Sequence, residues 1–172
     1  EIFAGVDAEG YAVLPADDDY FETLRSKAVC RVVSFGRSES ATYRIAGVEE
    51  DEGRFRFEIN GERMELGTVG EYNVINAGAA YAVGELCGVE PERIREALTE
   101  AEAIPGRAKV YRGKGVVLVD DSYNANPTSM RAALDSFSRL KAARRIAVLG
   151  DMGELGEFSD DAHRELGGYA AR

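Results

Sequence analysis

The sequence predicts an α/β protein in two parts: a mixed region with antiparallel hairpins, then a strand–helix–strand unit of the parallel type. Three observations predict it. Phe55, Phe57 and Ile59 alternate with Arg54, Arg56 and Glu58, the period of a strand with one buried face. Ile75, Ala79, Ala82, Val83 and Leu86 recur at helical spacing, which defines a core-facing stripe. Val116-Val117-Leu118-Val119 and Ile146-Ala147-Val148-Leu149 are unbroken apolar runs, as expected of parallel strands covered on both faces.

The elements follow in chain order. Residues 11–14 form a short strand. Asp17, Asp18 and Asp19 precede Tyr20-Phe21-Glu22-Thr23-Leu24 and place acidic groups at the positive end of a helix. Residues 29–33 form a second strand, ended by Gly36. Antiparallel strands fill residues 42–66, with Asn60-Gly61 as the hairpin turn, because both residue types tolerate positive φ. Met64 and Leu66 continue on the return strand. A helix over residues 73–86 starts with Asn73 as its cap and stops at Gly88. Pro91 opens another helix, with Ile94 and Leu98 inward. Ile104-Pro105-Gly106-Arg107 marks a boundary. Beyond it, Met130, Ala133, Leu134 and Phe137 form a helical stripe between the two apolar runs, and Ser159 caps a final helix. Two parallel strands do not make a stable sheet alone, so the second part reads as truncated. The opening Glu1-Ile2-Phe3, without a starting Met, reads as the middle of a longer protein.

Bulk properties bound the function. A length of 172 residues can bury a real core. The contents of 45% hydrophobic and 30% charged residues are those of a soluble globular protein. A net charge of -10 argues against a nucleic-acid groove, which needs a basic stripe. It leaves nucleotide binding open, since backbone donors and metal ions do that work. No apolar run reaches membrane-spanning length and no signal peptide opens the chain; a cytoplasmic protein without membrane insertion is expected. Cys30 and Cys87 form no C-x-x-C pair and read as reduced, buried thiols. His163 is the single histidine, so no zinc site of ordinary composition can be built, and no metal site is expected in this chain.

The most informative segment is Asp120-Asp121-Ser122-Tyr123-Asn124-Ala125-Asn126-Pro127. It leaves a strand and enters a helix, with Asn126 suited to the N-cap and Pro127 to the first helical position. Ligands of open α/β sheets bind at the carboxyl ends of strands, and free N–H groups at a helix start can hold an anion. The same composition also suits a satisfied strand-to-helix turn. Asn76 lies one turn inside a helix, where Asn is a poor helix former, and is a candidate ligand residue. Arg107 can bind phosphate or a ribose hydroxyl, or it is a solvated linker residue. Gly150-Asp151-Met152-Gly153-Glu154-Leu155-Gly156 gives a tight loop after the second apolar run, and His163 follows on the next helix, read as a surface histidine. No G-x-x-x-x-G-K-[ST] loop, G-x-G-x-x-G fingerprint or G-x-S-x-G elbow occurs in the chain.

These segments resemble the Mur ligase family. Residues 120–127 and Val148-Leu149-Gly150-Asp151-Met152-Gly153-Glu154-Leu155-Gly156 with His163 resemble the branch that adds D-alanyl-D-alanine. Gly70-Glu71-Tyr72-Asn73-Val74-Ile75-Asn76-Ala77 and Pro105-Gly106-Arg107 are similar to motifs shared across the family. Tyr72 stands where the family commonly has His. Sister ligases and folylpolyglutamate synthases usually carry a histidine-containing version of the 120–127 loop; Asn124 and Asn126 occupy it here.

The resemblance implies that residues 1–106 are the later part of a central ATP-binding domain and residues 107–172 the first part of a Rossmann-like C-terminal domain. It implies ATP and Mg2+ as cofactors, with the phosphate loop and metal ligands upstream of this chain, which alone would be inactive. It implies UDP-N-acetylmuramoyl-tripeptide and D-alanyl-D-alanine as substrates, joined through an acyl phosphate in peptidoglycan precursor synthesis, by an enzyme monomeric when intact. Asn76 would contact adenine, Arg107 the ribose or γ-phosphate, and Asp121 the ribose hydroxyls. Tyr123 would line the cleft near the nucleotide, with Asn124 and Asn126 near nucleotide or dipeptide, and residues 105–107 would hinge domain closure. None of these residues is expected to react covalently. A sister ligase, a folylpolyglutamate synthase-like enzyme and a non-catalytic nucleotide-binding module remain the alternatives.

Overall fold

The computed structural model describes residues 3–51, 54–68 and 70–171. They form two compact units. The first comprises the residues through Gly67 together with Tyr72–Ala101; the second comprises Thr68–Glu71 and the residues from Glu102 onward.

The first unit is a five-stranded sheet covered by helices. Strands β1 (Tyr11–Pro15) and β2 (Arg31–Gly36) pair in parallel, with α1 (Phe21–Lys27) between them in sequence. Strand β3 (Tyr43–Asp51) joins β2 in parallel over two positions, Phe35–Tyr43 and Gly36–Arg44. Strands β4 (Arg54–Ile59) and β5 (Glu62–Leu66) then continue antiparallel. The Asn60-Gly61 turn forms as expected, with φ of 52° and 86°, the mirror-image turn that matches strand twist. Asn60 also ties β3 down: its Oδ1 accepts from the Arg44 N–H at 2.8 Å, and its Nδ2 donates to the Thr42 carbonyl at 3.0 Å.

The alternation read from β4 is borne out. Phe55, Phe57 and Ile59 are buried, as are Met64 and Leu66 on β5. Helix α2 (Tyr72–Leu86) lies on this apolar face, with its phase differing from the expected stripe. Val74, Ala77, Gly78, Tyr81 and Ala82 are buried. Ile75 and Ala79 are half-buried, and Val83 is 47% exposed. Close approach explains the shift. A Cβ on Gly78 would lie 2.7 Å from Ile45 Cδ1, so the helix turns its small residues toward the sheet. Tyr81 is buried because its hydroxyl donates to Glu62 at 3.1 Å and Glu85 at 3.3 Å, which satisfies the polar tip. Asn73 is not a cap; it sits one residue inside the helix and accepts from the Asn76 amide at 3.3 Å. The helix ends in a Schellman motif, with Gly88 N–H on the Glu85 carbonyl and Val89 N–H on that of Gly84. Helix α3 (Pro91–Glu100) packs Ile94 and Leu98 inward. Neither thiol is buried: Cys30 is half-buried and Cys87 exposed, because each lies beside an element's core face and not on it.

The second unit departs further from expectation. Strand β7 (Val116–Asp120) pairs antiparallel with a strand not read from the sequence, β6 (Lys109–Gly113). Lys114 and Gly115, at φ of 50° and 75°, make the turn. Val116, Val117 and Leu118 are exposed, not covered on both faces. Residues 146–149 form no strand, and Val148 is 92% exposed. An apolar run states a need for burial, but a strand exists only where a neighbour completes its hydrogen bonds. Among the described residues no segment pairs with 146–149. Helices α4 (Pro127–Arg139) and α5 (Ser159–Ala170) pack together, joined by Arg131–Glu165 at 2.8 Å and by the Tyr169 hydroxyl on Asp135. Ser159 is the first residue of α5 and not its cap, since a 3-10 turn (Gly156–Phe158) runs straight into it.

Two truncations separate observed from expected packing. Phe57→Ala should cost about 3–5 kcal/mol, whereas Val83→Ala should stay within about 1 kcal/mol. Urea denaturation followed by circular dichroism checks both, and equal losses would contradict the observed helix phase.

Candidate functional site

Strand β7 ends at Asp120, and α4 begins at Pro127. The six residues between them form the loop singled out by the sequence. Its far end is built as a helix cap. Asn126 Oδ1 accepts from the Ser129 N–H at 2.9 Å, and Ser129 Oγ accepts from the Asn126 N–H at 3.1 Å. This is a capping box followed by Pro at the first helical position. Asn126 thus spends its oxygen on the helix and keeps its amide nitrogen for other work. Asn124 is exposed, with its Oδ1 near the Ala125 N–H at 2.9 Å.

The near end is a clasp between two backbone segments. Asp120 Oδ2 accepts the Gly106 N–H at 3.1 Å. Its Oδ1 accepts the Ser122 hydroxyl at 2.6 Å and the Ser122 N–H at 3.3 Å. Asp121 Oδ1 accepts the Ala108 N–H at 3.0 Å. The Tyr123 N–H returns to the Gly106 carbonyl at 3.0 Å. Gly106 and Ala108 both lie at positive φ, 78° and 52°. At Gly106 a side chain would also be crowded, since a Cβ would stand 3.3 Å from the Tyr123 backbone nitrogen. Ala108 has no such exemption from strain, and the Asp121 bond helps to hold it there.

Arg107 lies between those two bent residues. Its guanidinium sits 4.2 Å from the centre of the Tyr123 ring, within cation–π range. Both side chains are exposed. The structure therefore brings Arg107, Asp121 and Tyr123 together on one rim of the second unit. Asp121 Oδ2 receives no hydrogen bond among the described residues. Asn76 is an exposed residue of α2, in the other unit.

The loop borders a cleft of about 830 Å³ within the second unit. Residues 120–125 give it a polar end, and residues 146–151 also line it. Met130, Ala133, Leu134 and Phe137, the stripe expected to pack inward, line it between them and are half-buried.

Sequence reasoning ranked Asp121 above Asp120 and gave Asp120 no task of its own. The Asp-x-Ser spacing was the available signal, because it favours a side-chain-to-backbone turn. The bond from the Ser122 hydroxyl holds the Asp120 carboxyl below the usual carboxylate range; N–H bonds from Ser122 and Gly106 add to this, against the opposing effect of burial. His163 is not a free surface residue either: it is half-buried, with both ring nitrogens engaged. Among the described residues no group of three or more His, Cys, Asp or Glu is placed to hold a metal ion.

A lowered folded-state pKa stabilises above the unfolded value and loses that effect as pH falls through the folded value. Wild type should therefore lose more stability than Asp120→Asn on acidification from about pH 5 to pH 2. Thermal unfolding across that window checks it, and parallel curves would show that the clasp does not depend on the charge.

Comparison with known proteins places this arrangement. Residues 1–84 match the profile described as the Mur ligase middle domain, and residues 106–172 that described as the Mur ligase, glutamate ligase domain. UDP-N-acetylmuramoyl-tripeptide--D-alanyl-D-alanine ligase of Mycobacterium tuberculosis is 37% identical over 100% of this chain and 36% of the relative. The crystal structure of MurF from Acinetobacter baumannii superposes with a TM-score of 0.90 at 32% identity, covering 99% of this chain and 38% of that one. MurF ligase from Thermotoga maritima, solved in complex with ADP, gives 0.79 at 27% identity, covering 94% and 38%. The chain thus spans somewhat over a third of the length of these relatives. With both halves matched in order, the chain belongs to the Mur ligase family.

Proposed function

We propose that the protein to which this chain belongs uses ATP to join D-alanyl-D-alanine to UDP-N-acetylmuramoyl-tripeptide, in the cytoplasm, during peptidoglycan precursor synthesis. The relative from Mycobacterium tuberculosis carries that activity in its name. In that reaction a carboxylate oxygen of the tripeptide bonds to the γ-phosphorus and ADP leaves. The dipeptide amine then attacks the acyl carbon, phosphate leaves with the bonding pair, and the amine loses a proton. Residues 1–106 supply the later part of the ATP-binding domain and residues 107–172 the first part of the Rossmann-like domain. Mg2+ would neutralise phosphate charge, and no step through it is assigned to this chain.

The observation that carries the reading is the clasp. It leaves Asp121 Oδ2 as an open acceptor beside the Arg107–Tyr123 stack, on one exposed rim. A carboxylate oxygen accepts from ribose hydroxyls, and a guanidinium pairs with phosphate or ribose oxygens. The geometry favours a single Asp121 oxygen for this role, because Oδ1 holds Ala108. Tyr123 orients Arg107, and Asn76 would offer its amide to adenine. Asn124 and the free amide nitrogen of Asn126 orient nucleotide or dipeptide. All of these residues position and stabilise charge, which is where phosphoryl transfer gains most of its rate.

In the complete protein, Asp121→Ala should raise the KM for ATP about 10- to 100-fold, the worth of a hydrogen bond to a charged acceptor. Unchanged ATP kinetics would remove Asp121 from the site. Phosphate release should require both the UDP-linked tripeptide and D-alanyl-D-alanine. Turnover with a single amino acid in place of the dipeptide would point to a sister ligase.

A further inference from the structure

Residues 150–155, of which Gly150 and Asp151 line the cleft, lie in neither helix nor strand, and Gly156 opens the 3-10 turn that leads into α5. Glu154 and Gly156 stand at positive φ, 60° and 55°. Among the described residues, one hydrogen bond ties residues 150–154 to the rest of the molecule: the Met152 N–H to His163 Nε2, at 3.0 Å. His163 Nδ1 lies 2.8 Å from the Ser159 carbonyl oxygen, one turn back on α5, with the Ser159 hydroxyl at 3.4 Å.

These two partners fix the protonation state of the ring by elimination. A backbone N–H can only donate, so Nε2 must accept and carries no proton. A carbonyl oxygen can only accept, so Nδ1 must donate and carries the proton. Of the three states of an imidazole, the neutral Nδ1–H tautomer alone makes both bonds. The Nε2–H tautomer and the imidazolium would each set an N–H against the N–H of Met152. The Met152 side chain is itself 3% exposed, so the anchor is fixed on both sides of its backbone. Gly150 and Asp151, the two residues before it, line the same cleft as the 120–125 loop.

We propose that His163, as the neutral Nδ1–H imidazole, is the positioning residue for residues 150–156 and sets the edge of the cleft that Gly150 and Asp151 present to a ligand. Its part in the reaction rests on the ligase reading above; its grip on the loop does not. A neutral ring that grips through a lone pair on Nε2 carries its proton on Nδ1, and the Ser159 carbonyl gives that N–H an acceptor.

His163 is the single histidine of these 172 residues, and in the complete protein its ring nitrogens are identified as the resonances that His163→Gln removes. Long-range 1H–15N spectra at neutral pH should show a protonated Nδ1 and an unprotonated Nε2. An Nε2–H ring would overturn the proposal without any substitution being made. His163→Leu should speed exchange of the Met152 amide about tenfold, the worth of one ordinary hydrogen bond. His163→Gln, whose side-chain oxygen reaches the same place as an acceptor, should recover most of the protection. Equal exchange in wild type and His163→Leu, with both folded by circular dichroism, would also overturn it. In the complete protein kcat/KM should fall about tenfold in His163→Leu and recover in His163→Gln. Unchanged kcat/KM would refute the loop's part in the reaction, whereas the Asp121→Ala kinetics test the ligase reading separately.

Discussion

Two neighbouring carboxylates at the end of β7 hold residues 106–108 against the 120–123 loop, and the placement of Arg107 and Tyr123 depends on them. Here they share four donors: the N–H groups of Gly106, Ser122 and Ala108 and the Ser122 hydroxyl. These bonds hold a backbone that bends through positive φ on both sides of Arg107. The direction of a long, flexible side chain is thereby set by its own main chain. The Tyr123 ring then gives the guanidinium a face to rest on.

This division of labour assigns each acid a different task. Asp120 is saturated by its own loop and by Gly106, so it acts through the backbone it holds. Asp121 spends one oxygen on Ala108 and presents the other. The same economy recurs at Asn126, whose oxygen caps α4 while its amide stays available. A loop that is fully bonded internally and still offers one acceptor and several donors is preorganised, which removes the ordering cost from ligand binding.

Much of the first unit was legible in the sequence. The alternation in β4, the Asn60-Gly61 turn and the Gly88 stop are local signals that tertiary packing reinforced. The phase of α2 was not legible, because hydropathy ranks Ile75 and Val83 above Gly78 and Tyr81. The sheet instead selects whatever allows close approach or carries a satisfied hydroxyl. In the second unit the apolar runs were visible but their partners were not. Val116–Asp120 found an antiparallel neighbour through a Lys114-Gly115 turn, and residues 146–149 found none among the described residues. The loop at 120–127 could be located from residue types, since Asn126 and Pro127 mark a helix start. The clasp could not, because its donors are backbone N–H groups whose aim is set by φ and ψ. His163 was misjudged for the same reason: its partners are main-chain atoms of Met152 and Ser159.

The central claim concerns what the open oxygen of Asp121 is for. A crystal structure of the complete protein with ADP or a non-hydrolysable ATP analogue tests it most directly. The account predicts a ribose hydroxyl within hydrogen-bonding distance of Asp121 Oδ2 while Oδ1 still holds the Ala108 N–H. A ribose bound elsewhere, with Oδ2 left to solvent, would contradict it.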